Sequence, residues 1–459
     1  MNEIDTIIAL ATPSGRGSIS VLRISGPRTI YVAQEILGKK ILKPRFAEYC
    51  SFLDCDGKLL DQGIALFFPS PYSFTGEDVL ELQGHGSPII IDLLIKRILS
   101  ISGIRMARPG EFSERAFLNN KIDLLQAEAI ADMIEADSIQ SARAALLSFQ
   151  GNFSININNL INRLEDLRSY VEWIIDFSES EIDLSYDTKI EDTLNNLLYE
   201  ISSIQIEANQ SNLLRKGMKF VIVGKPNSGK SSLLNALVGN EAAIVTNIAG
   251  TTRDILHESI YLDGIPIHII DTAGIRKTKN KIEHIGIKKT LLELNKADHL
   301  LYIIDNKILT YQAEKIQKIW SYSFSIPFPT KIPMTVIYNK SDLYNRHIEF
   351  HKKENMSFIT LSSKTKDGIH ILLEYLRTLS KEHTSTSNRF LARQRHLDIL
   401  KNALNHLTHG KKLLHSNNWE LFAEELKLAQ CALNAITGKN RSSDEDLLAK
   451  IFSSFCVGK

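Results

Sequence analysis

The chain has 459 residues, of which 43% are hydrophobic and 23% are charged, so a wholly disordered or fibrous protein is excluded. Its 54 Lys and Arg residues against 53 Asp and Glu residues give a formal charge of +1, which argues against a general electrostatic binder of nucleic acid. At roughly 150 residues per domain, the length predicts about three domains.

Compartment signals point to the cytoplasm. The four cysteines contain no C-x-x-C pair, and so few thiols do not make a disulfide framework. The first residues, Met1-Asn2-Glu3-Ile4-Asp5, are acidic where a signal peptide is basic. No uncharged apolar run approaches the roughly 18 residues that a membrane span requires. We therefore expect a cytoplasmic protein.

Residues 1–119 predict an α+β domain. The runs 19–24 and 64–68 have the pattern of strands, whereas 89–99 is apolar at helical spacing. Turn residues at 70–76 and 84–86 separate these elements. His85 lies between two glycines and is interpreted as loop-forming rather than catalytic.

Residues 120–214 and 380–459 predict the two parts of one helical domain. A helix is predicted over 126–149, and long amphipathic helices follow around 157–174 and 190–204. After a polar linker at 381–388, helical spacing returns, with Gly438 as a C-cap and with Ser442 and Glu445 opening a last helix as a capping box. Amphipathic helices need partners for their apolar stripes, so the two parts are expected to pack as a bundle.

Residues 215–379 alternate short hydrophobic strands with helices and predict a doubly wound α/β domain inserted between those parts. After a strand at 220–223 comes Gly224-Lys225-Pro226-Asn227-Ser228-Gly229-Lys230-Ser231, which fits G-x-x-x-x-G-K-[ST]. Such a loop binds phosphates at a helix N-terminus, with Lys230 near the β- and γ-phosphates and Ser231 on Mg²⁺. The alternative, a lysine-bearing surface turn, is disfavoured because strand, loop and helix follow in the required order.

Four polar segments follow the phosphate loop, and three of them come directly after predicted strands. Open α/β sheets bind ligands at the carboxyl ends of their strands, so this order predicts one nucleotide site. The segments are Gly250-Thr251-Thr252-Arg253-Asp254, Asp271-Thr272-Ala273-Gly274, Asn339-Lys340-Ser341-Asp342 and Ser362-Ser363-Lys364.

The run ending in Asp342 predicts the base. A carboxylate accepts from both the ring N–H and the exocyclic amine of guanine, whereas adenine offers neither donor there. Loss of a hydrogen bond to a charged partner costs on the order of 1.5–3 kcal/mol, so GTP is preferred over ATP.

The residue after Gly274 is Ile275, where many GTPases place the glutamine that orients the attacking water. Another group must hold that water, and Glu283 in the following segment is the candidate. A solvent-exposed helix charge is an equal alternative for Glu283 on spacing alone.

With these motifs the chain resembles the MnmE family, also called TrmE, of bacterial and organellar tRNA-modification GTPases. The resemblance runs nearly end to end and includes a distinctive tail. Outside the nucleotide motifs it lies in Asp5-Thr6-Ile7, Ala11-Thr12-Pro13, Gly15-Arg16-Gly17, Phe74-Thr75-Gly76-Glu77-Asp78, Leu80-Glu81-Leu82-Gln83-Gly84-His85-Gly86, Arg108-Pro109-Gly110-Glu111-Phe112, Gln126-Ala127-Glu128-Ala129-Ile130 and Cys456-Val457-Gly458-Lys459.

The resemblance implies an N-terminal folate-binding and dimerisation domain, a split helical domain and an inserted Ras-like GTPase domain. It further implies a homodimer, K⁺-stimulated GTP hydrolysis and a heterotetramer with an MnmG-like flavoprotein. Together the partners are expected to add an aminomethyl or carboxymethylaminomethyl group to carbon 5 of the wobble uridine of certain tRNAs. The resemblance implies that the one-carbon unit comes from 5-formyl- or 5,10-methylene-tetrahydrofolate.

The resemblance also implies site residues by motif position. K⁺ is assigned to Asn227, Thr246, Ile248 and Thr251, Mg²⁺ to Ser231 and Thr252, and folate to Arg23, Glu81, Lys121 and Lys459. Catalytic roles fall to Glu283, Lys230 and Cys456, although a buried thiol on the last helix is the alternative for Cys456. The expected GTP contacts are Asn227, Ser228, Gly229, Lys230, Ser231, Ser232, Thr246, Asn247, Ile248, Ala249, Gly250, Thr251, Thr252, Asp271, Thr272, Ala273, Gly274, Asn339, Lys340, Ser341, Asp342, Ser362, Ser363 and Lys364.

Two other functions use the same motifs. A ribosome-assembly GTPase switch would need a dedicated RNA-binding domain with a basic face, and neither terminal region shows one. A folate-dependent one-carbon transferase in which GTP only regulates is compatible with the N-terminal residues, but the chain has no evident site for flavin chemistry.

Overall fold

The computed structural model describes most of the chain, and the structural statements below concern that part of it. The described residues are 5–38, 42–136, 138–177, 185–238, 257–262, 265–271, 294, 297–305, 307, 310–324, 327–330, 332–353, 356–382, 390–439, 445–455 and 458. They form two compact units. The first unit comprises Met1–Ile134, Leu146–Ile201 and Asp398–Lys459, and the second comprises Glu135–Ala145 and Ser202–Leu397.

The first unit begins with a six-stranded sheet of order β3-β4-β5-β2-β1-β6, antiparallel except between β1 and β6. Its strands are β1 (Thr6–Leu10), β2 (Ile19–Ser25), β3 (Glu48–Leu53), β4 (Leu59–Phe68), β5 (Val79–His85) and β6 (Ile104–Met106), and α1 (Thr29–Ile36) and α2 (Pro88–Leu99) contribute to its core. Strand side chains alternate between faces, so in β2 Leu22 and Ile24 are buried while Ile19 and Arg23 lie on the opposite face. The predicted α+β architecture is confirmed.

The helices after this sheet differ from the prediction at one point. They are α3 (Glu111–Leu118), α4 (Leu124–Ile134), α5 (Ile139–Phe149), α6 (Asn152–Phe177) and α7 (Ser185–Lys216). The single helix predicted over 126–149 is wrong, because two helices occupy it. The Ser138 hydroxyl accepts a hydrogen bond from the Ser141 amide at 3.0 Å, which caps a new helix start inside that span.

The second unit contains a seven-stranded sheet of order β12-β13-β11-β10-β7-β9-β8. The five central strands are parallel, and β8 and β12 pair antiparallel at the edges. The strands are β7 (Met218–Gly224), β8 (His257–Leu262), β9 (Ile265–Asp271), β10 (His299–Asp305), β11 (Met334–Asn339), β12 (Phe350–Lys353) and β13 (Met356–Thr360). The helices are α8 (Lys230–Val238), α9 (Ala313–Ser323), α10 (Ser341–Tyr344) and α11 (Ile369–Glu382). Apolar cores on both faces explain why the central strands are continuous hydrophobic runs.

Three further helices follow, α12 (Gln394–His415), α13 (Trp419–Thr437) and α14 (Glu445–Ser453). In the first unit α13 packs along α6, with the Arg168 guanidinium donating to Gln430 Oε1 at 2.7 Å. Gly438 ends α13 with a φ of +76°, as the sequence predicted. No helix among the described residues has both the length and the apolar composition to cross a bilayer.

A buried ion network joins two of the sequence motifs in the first unit. Glu111, whose side chain is 2% exposed, pairs with Arg105 and Arg115, and Arg115 also contacts Glu77. Burial alone would raise the pKa of Glu111, but hydrogen bonds from Arg105 and the Arg108 amide outweigh burial and lower the pKa to about 2. The charged form of Glu111 therefore stabilises this unit.

Replacing Glu111 by Gln is expected to destabilise the first unit by roughly 3 kcal/mol at pH 7, because cationic partners lose their counter-charge. The folded-state pKa lies below the ordinary value near 4.5, so this stabilisation is present above pH 4.5 and is lost as pH falls toward 2. Urea unfolding at pH 7 and at pH 3 measures both effects. The matched control Glu114→Gln, which removes a pair more accessible to solvent, should change stability little. Equal losses in the two variants would contradict this account.

Candidate functional site

The phosphate loop connects β7 to α8 and has the backbone that its sequence requires. Asn227 and Gly229 have φ values of +61° and +95°, which turn the chain tightly before the helix. The Lys230 ammonium lies over the loop and donates to the carbonyls of Gly224 and Lys225 at 3.0 and 3.1 Å. Ser228 is 3% exposed, and its hydroxyl has no hydrogen-bond partner within the described residues. A cation over the loop and an unpaired buried hydroxyl fit a phosphate ligand.

Asn339, which is 1% exposed, links three of the predicted segments. Its side-chain amide donates to the carbonyl of Ser228 at 2.8 Å, and its oxygen accepts from the Ser363 amide at 2.9 Å. One side chain thus joins the phosphate loop, the end of β11 and the loop after β13. Both polar groups of the Asn339 side chain therefore hold the two loops in position.

Asp342 is also held in place. Its Oδ1 accepts from the Ser362 hydroxyl at 2.6 Å, so the carboxylate orientation depends on the loop after β13. The neighbouring Lys340 adopts a φ of +68° and pairs with Asp305 at 2.9 Å. Burial raises the pKa of Asp305, but hydrogen bonds from Lys340 and Tyr344 outweigh it and lower that pKa.

Asp305 was not among the residues singled out from sequence. Asp305 is the last residue of β10, the strand beside β11. A carboxylate directly after a buried hydrophobic run is the sequence pattern that would have indicated it. Strand register places several such ends along one edge of the sheet: Ile303 lies opposite Gly224, Ile222 opposite Asp271, and Asp305 opposite Asn339.

Several predicted nucleotide and metal residues lie outside the described residues. These are Thr246, Asn247, Ile248, Ala249, Gly250, Thr251, Thr252, Thr272, Ala273, Gly274 and Glu283. Cys456 and Lys459 lie outside as well. Their assignments stay predictions. The backbone of Asp271 ends β9, and Ser231 and Ser232 lie in the first turn of α8.

Asp342→Asn is expected to weaken guanine selection by about 10- to 100-fold, because the amide N–H₂ would face the ring N–H and the exocyclic amine of guanine, which are donors themselves. Competition binding with GTP and ATP measures the preference. Asp367→Asn, an exposed carboxylate in the loop after β13, is the matched control and should leave selection unchanged. An unaltered preference for GTP in the Asp342 variant would count against the base assignment.

A second polar centre lies in the first unit, on β2 and β5. Arg23 and Glu81 face each other across the strands, with Nε donating to Oε1 at 3.0 Å. The rings of Phe74 and Phe112 lie 5.9 Å from the Arg23 guanidinium carbon. Sequence reasoning did not assign these phenylalanines, although both lie in quoted motifs. An ion pair beside two aromatic rings fits a flat heterocycle that carries donors and acceptors.

Gly458 lies at the same centre. Arg23 donates to the carbonyl of Gly458 at 3.4 Å. A Cβ on Gly458 would lie 2.3 Å from the carbonyl oxygen of Leu10, so only glycine allows this close approach to β1. Lys121, by contrast, donates from Nζ to the carbonyl of Pro71 at 2.9 Å.

His85 has a structural partner that the sequence did not indicate. Asp61, with a side chain 5% exposed, accepts from the His85 amide at 2.8 Å and contacts the ring Nδ1 at 2.7 Å. A Cβ on Gly84 would lie 2.4 Å from the Asp61 carboxylate, so this position in β5 requires glycine. The turn predicted over 84–86 is wrong at its start, because Gly84 and His85 pair with β2 as the last residues of β5.

Comparisons with known proteins cover the whole chain. The family model for the MnmE helical domain matches residues 124–456, and that for the GTP-binding protein TrmE N-terminus matches residues 6–121. A tRNA modification GTPase MnmE of Proteus mirabilis (strain HI4320) is 53% identical over 460 residues, which span 100% of both chains.

Similar solved structures include a GTP-binding protein from the hyperthermophilic archaeon Sulfolobus solfataricus in complex with GDP. It is 16% identical, with 64% of this chain and 78% of that chain covered and a TM-score of 0.27. The G domain of the T. maritima FeoB iron transporter is 21% identical, with 36% and 98% covered and a TM-score of 0.23. At these TM-scores the fold assignment rests on the sheet topology and the family models.

Proposed function

This chain belongs to the MnmE family of tRNA modification GTPases, and we propose that it couples GTP hydrolysis to modification of the wobble uridine. The product carries an aminomethyl or carboxymethylaminomethyl group at carbon 5 in certain tRNAs. Family membership favours this function over a ribosome-assembly switch.

The observation that supports the nucleotide site is the link that Asn339 makes between the phosphate loop and the loop after β13. Because Asp342 is oriented from that same loop by Ser362, phosphate and base recognition depend on each other. Lys230 neutralises charge on the terminal phosphates. Its contacts with the Gly224 and Lys225 carbonyls hold its ammonium group over the loop.

The metal assignments complete the proposal. Ser231 and Thr252 hold Mg²⁺, while Asn227, Thr246, Ile248 and Thr251 hold K⁺. A bound monovalent cation supplies positive charge to the phosphates, as an arginine finger does in other GTPases. Glu283 orients the attacking water, because Ile275 has no group that could do so.

In the first unit, the proposed ligand is a tetrahydrofolate carrying the one-carbon unit. Arg23 and Glu81 contact its polar groups beside Phe74 and Phe112. Lys121 and Lys459 provide cations for its glutamate carboxylates. Cys456 lies two residues before Gly458, whose carbonyl contacts Arg23, and acts near this ligand. The chain works as a homodimer with an MnmG-like flavoprotein in the cytoplasm.

Mass analysis of wobble nucleosides in cells that lack this protein tests the function. The carbon-5 modification should disappear, return with the wild-type chain and fail to return with Glu283→Ala, which should still bind GTP. Glu374→Ala, an exposed carboxylate on α11, is the matched control and should restore it. Unchanged nucleosides in the deletion would overturn the proposal.

A further inference from the structure

A polar cavity lies in the first unit, where the end of α3 and the start of α4 meet α6 and the end of α13. Its volume is about 450 Å³. All the residues that line it belong to the first unit. Its polar wall includes Lys121, Asp123, Gln126, Asn158, Thr437 and Lys439.

Asn158, on α6, gives this cavity an acceptor without a donor. Its Oδ1 is buried and has no hydrogen-bond partner in the part of the chain that the structure describes. A buried oxygen in this state costs free energy unless a donor reaches it. The cavity therefore fits a ligand that carries an N–H or O–H group.

Two lysines give the cavity its charge. Lys121 donates from Nζ to the carbonyl of Pro71, and Lys439 is exposed at the end of α13. Neither lysine forms an ion pair with a described carboxylate. Asp123 also lines the cavity, but its Oδ1 accepts from the Gln126 amide at 2.8 Å, at the start of α4, where the helix dipole favours negative charge. The free cations favour an anionic ligand.

The cavity lies close to the Arg23 centre along α3. Phe112, beside Arg23, and Phe117, in the cavity wall, are five residues apart, which is about 7.5 Å of helix rise. Lys121 packs against the loop that holds Phe74, the second ring beside Arg23. A ligand that leaves the Arg23 centre past Lys121 therefore meets this cavity next.

We propose that the cavity binds the γ-linked glutamate tail of a polyglutamylated folate. This inference rests on the proposed function, in which Arg23 and Glu81 contact the polar groups of the folate and Lys121 meets a glutamate carboxylate. Each further glutamate adds one carboxylate, which suits Lys439, and one peptide N–H, which suits the Asn158 oxygen. An apolar ligand is disfavoured because it would leave the polar wall unpaired.

Calorimetric titration of the full-length chain with 5-formyl-tetrahydrofolate, as the monoglutamate and as the pentaglutamate, tests this proposal. The pentaglutamate should bind about tenfold more tightly, which is the contribution of one hydrogen bond to a charged partner. This preference should fall as salt rises, because Lys439 is exposed. Asn158→Leu and Lys439→Ala should each reduce the preference to about threefold or less, with monoglutamate affinity within about twofold of wild type.

Matched controls come from the same two helices. Asn159 on α6 and Lys427 on α13 are exposed and do not line the cavity, so Asn159→Leu and Lys427→Ala should keep the full preference. Urea unfolding without ligand separates binding from folding. Asn158→Leu should not lower the unfolding midpoint, because it removes an unpaired buried oxygen.

Each contrary result has a distinct meaning. If wild type binds the two folates equally well, the tail assignment is overturned while the proposed folate site stands. If wild type prefers the pentaglutamate and both cavity variants keep that preference, the tail binds elsewhere and the cavity assignment is overturned. If wild type binds neither folate, the proposed folate site and the tail site are both overturned. Loss of tRNA binding in Lys439→Ala, with the preference intact, would overturn the assignment in favour of RNA.

Discussion

GTP hydrolysis is expected to be faster in K⁺ than in Na⁺ by on the order of 10³-fold, the lower end of the contribution of an arginine finger. The expectation depends on two residues. Ile275 replaces the usual glutamine and has no group that hydrogen-bonds water, so hydrolysis must be assisted by other groups. Asn227, at a φ of +61° in the phosphate loop, is the described residue among the proposed K⁺ ligands. Phosphate release at fixed Mg²⁺ and fixed ionic strength, in each salt, measures the effect.

Asn227→Gly is the sharpest control for the potassium mechanism. Glycine adopts a positive φ without strain, so this change removes the side-chain ligand while preserving the loop backbone. We expect the variant to lose K⁺ stimulation and to bind GDP nearly as well as wild type. Equal rates in K⁺ and Na⁺ for the wild-type chain would end the potassium mechanism, and full stimulation of the variant would remove Asn227 from it.

Gly229→Ala should lower affinity for both GTP and GDP by roughly 100-fold, through lost loop contacts and left-handed strain. A Cβ at this position would lie 2.1 Å from Asn339 Nδ2, and the backbone φ is +95°. The asparagine would have to move, and its bond to the Ser228 carbonyl would break. Competition with a fluorescent nucleotide measures the loss.

Gly57→Ala is a control for an alanine at a positive φ outside the unit that holds the phosphate loop. Gly57 also has a positive φ, +75°, but a Cβ added there would meet no atom within 4 Å. This variant should bind nucleotide as wild type does. If Gly229→Ala retained its affinity, Asn339 would not be the link between phosphate and base recognition.

Local patterns in the sequence predicted much of this architecture. The buried runs of β7 and β11 and the glycine loop between β7 and α8 are properties of adjacent residues. The one misplaced helix shows where this reasoning ends. The stretch 126–149 keeps helical spacing throughout, yet the Ser138 cap starts a new helix inside it. A side-chain cap can start a new helix within a stretch that keeps helical spacing. Hydrophobic periodicity alone does not show whether such a stretch is one helix or two.

The amino-acid sequence by itself determined the fold class and the order of the nucleotide motifs, because alternation, helical spacing and loop chemistry act over neighbouring residues. Only the tertiary structure decided that Asn339 contacts Ser228, 111 positions away, and that Gly458 reaches Arg23, 435 positions away. Such contacts depend on strand order and on the path of the last helix. Strand order and the path of the last helix depend on how the whole chain packs, because side chains that are distant in sequence compete for the same buried space.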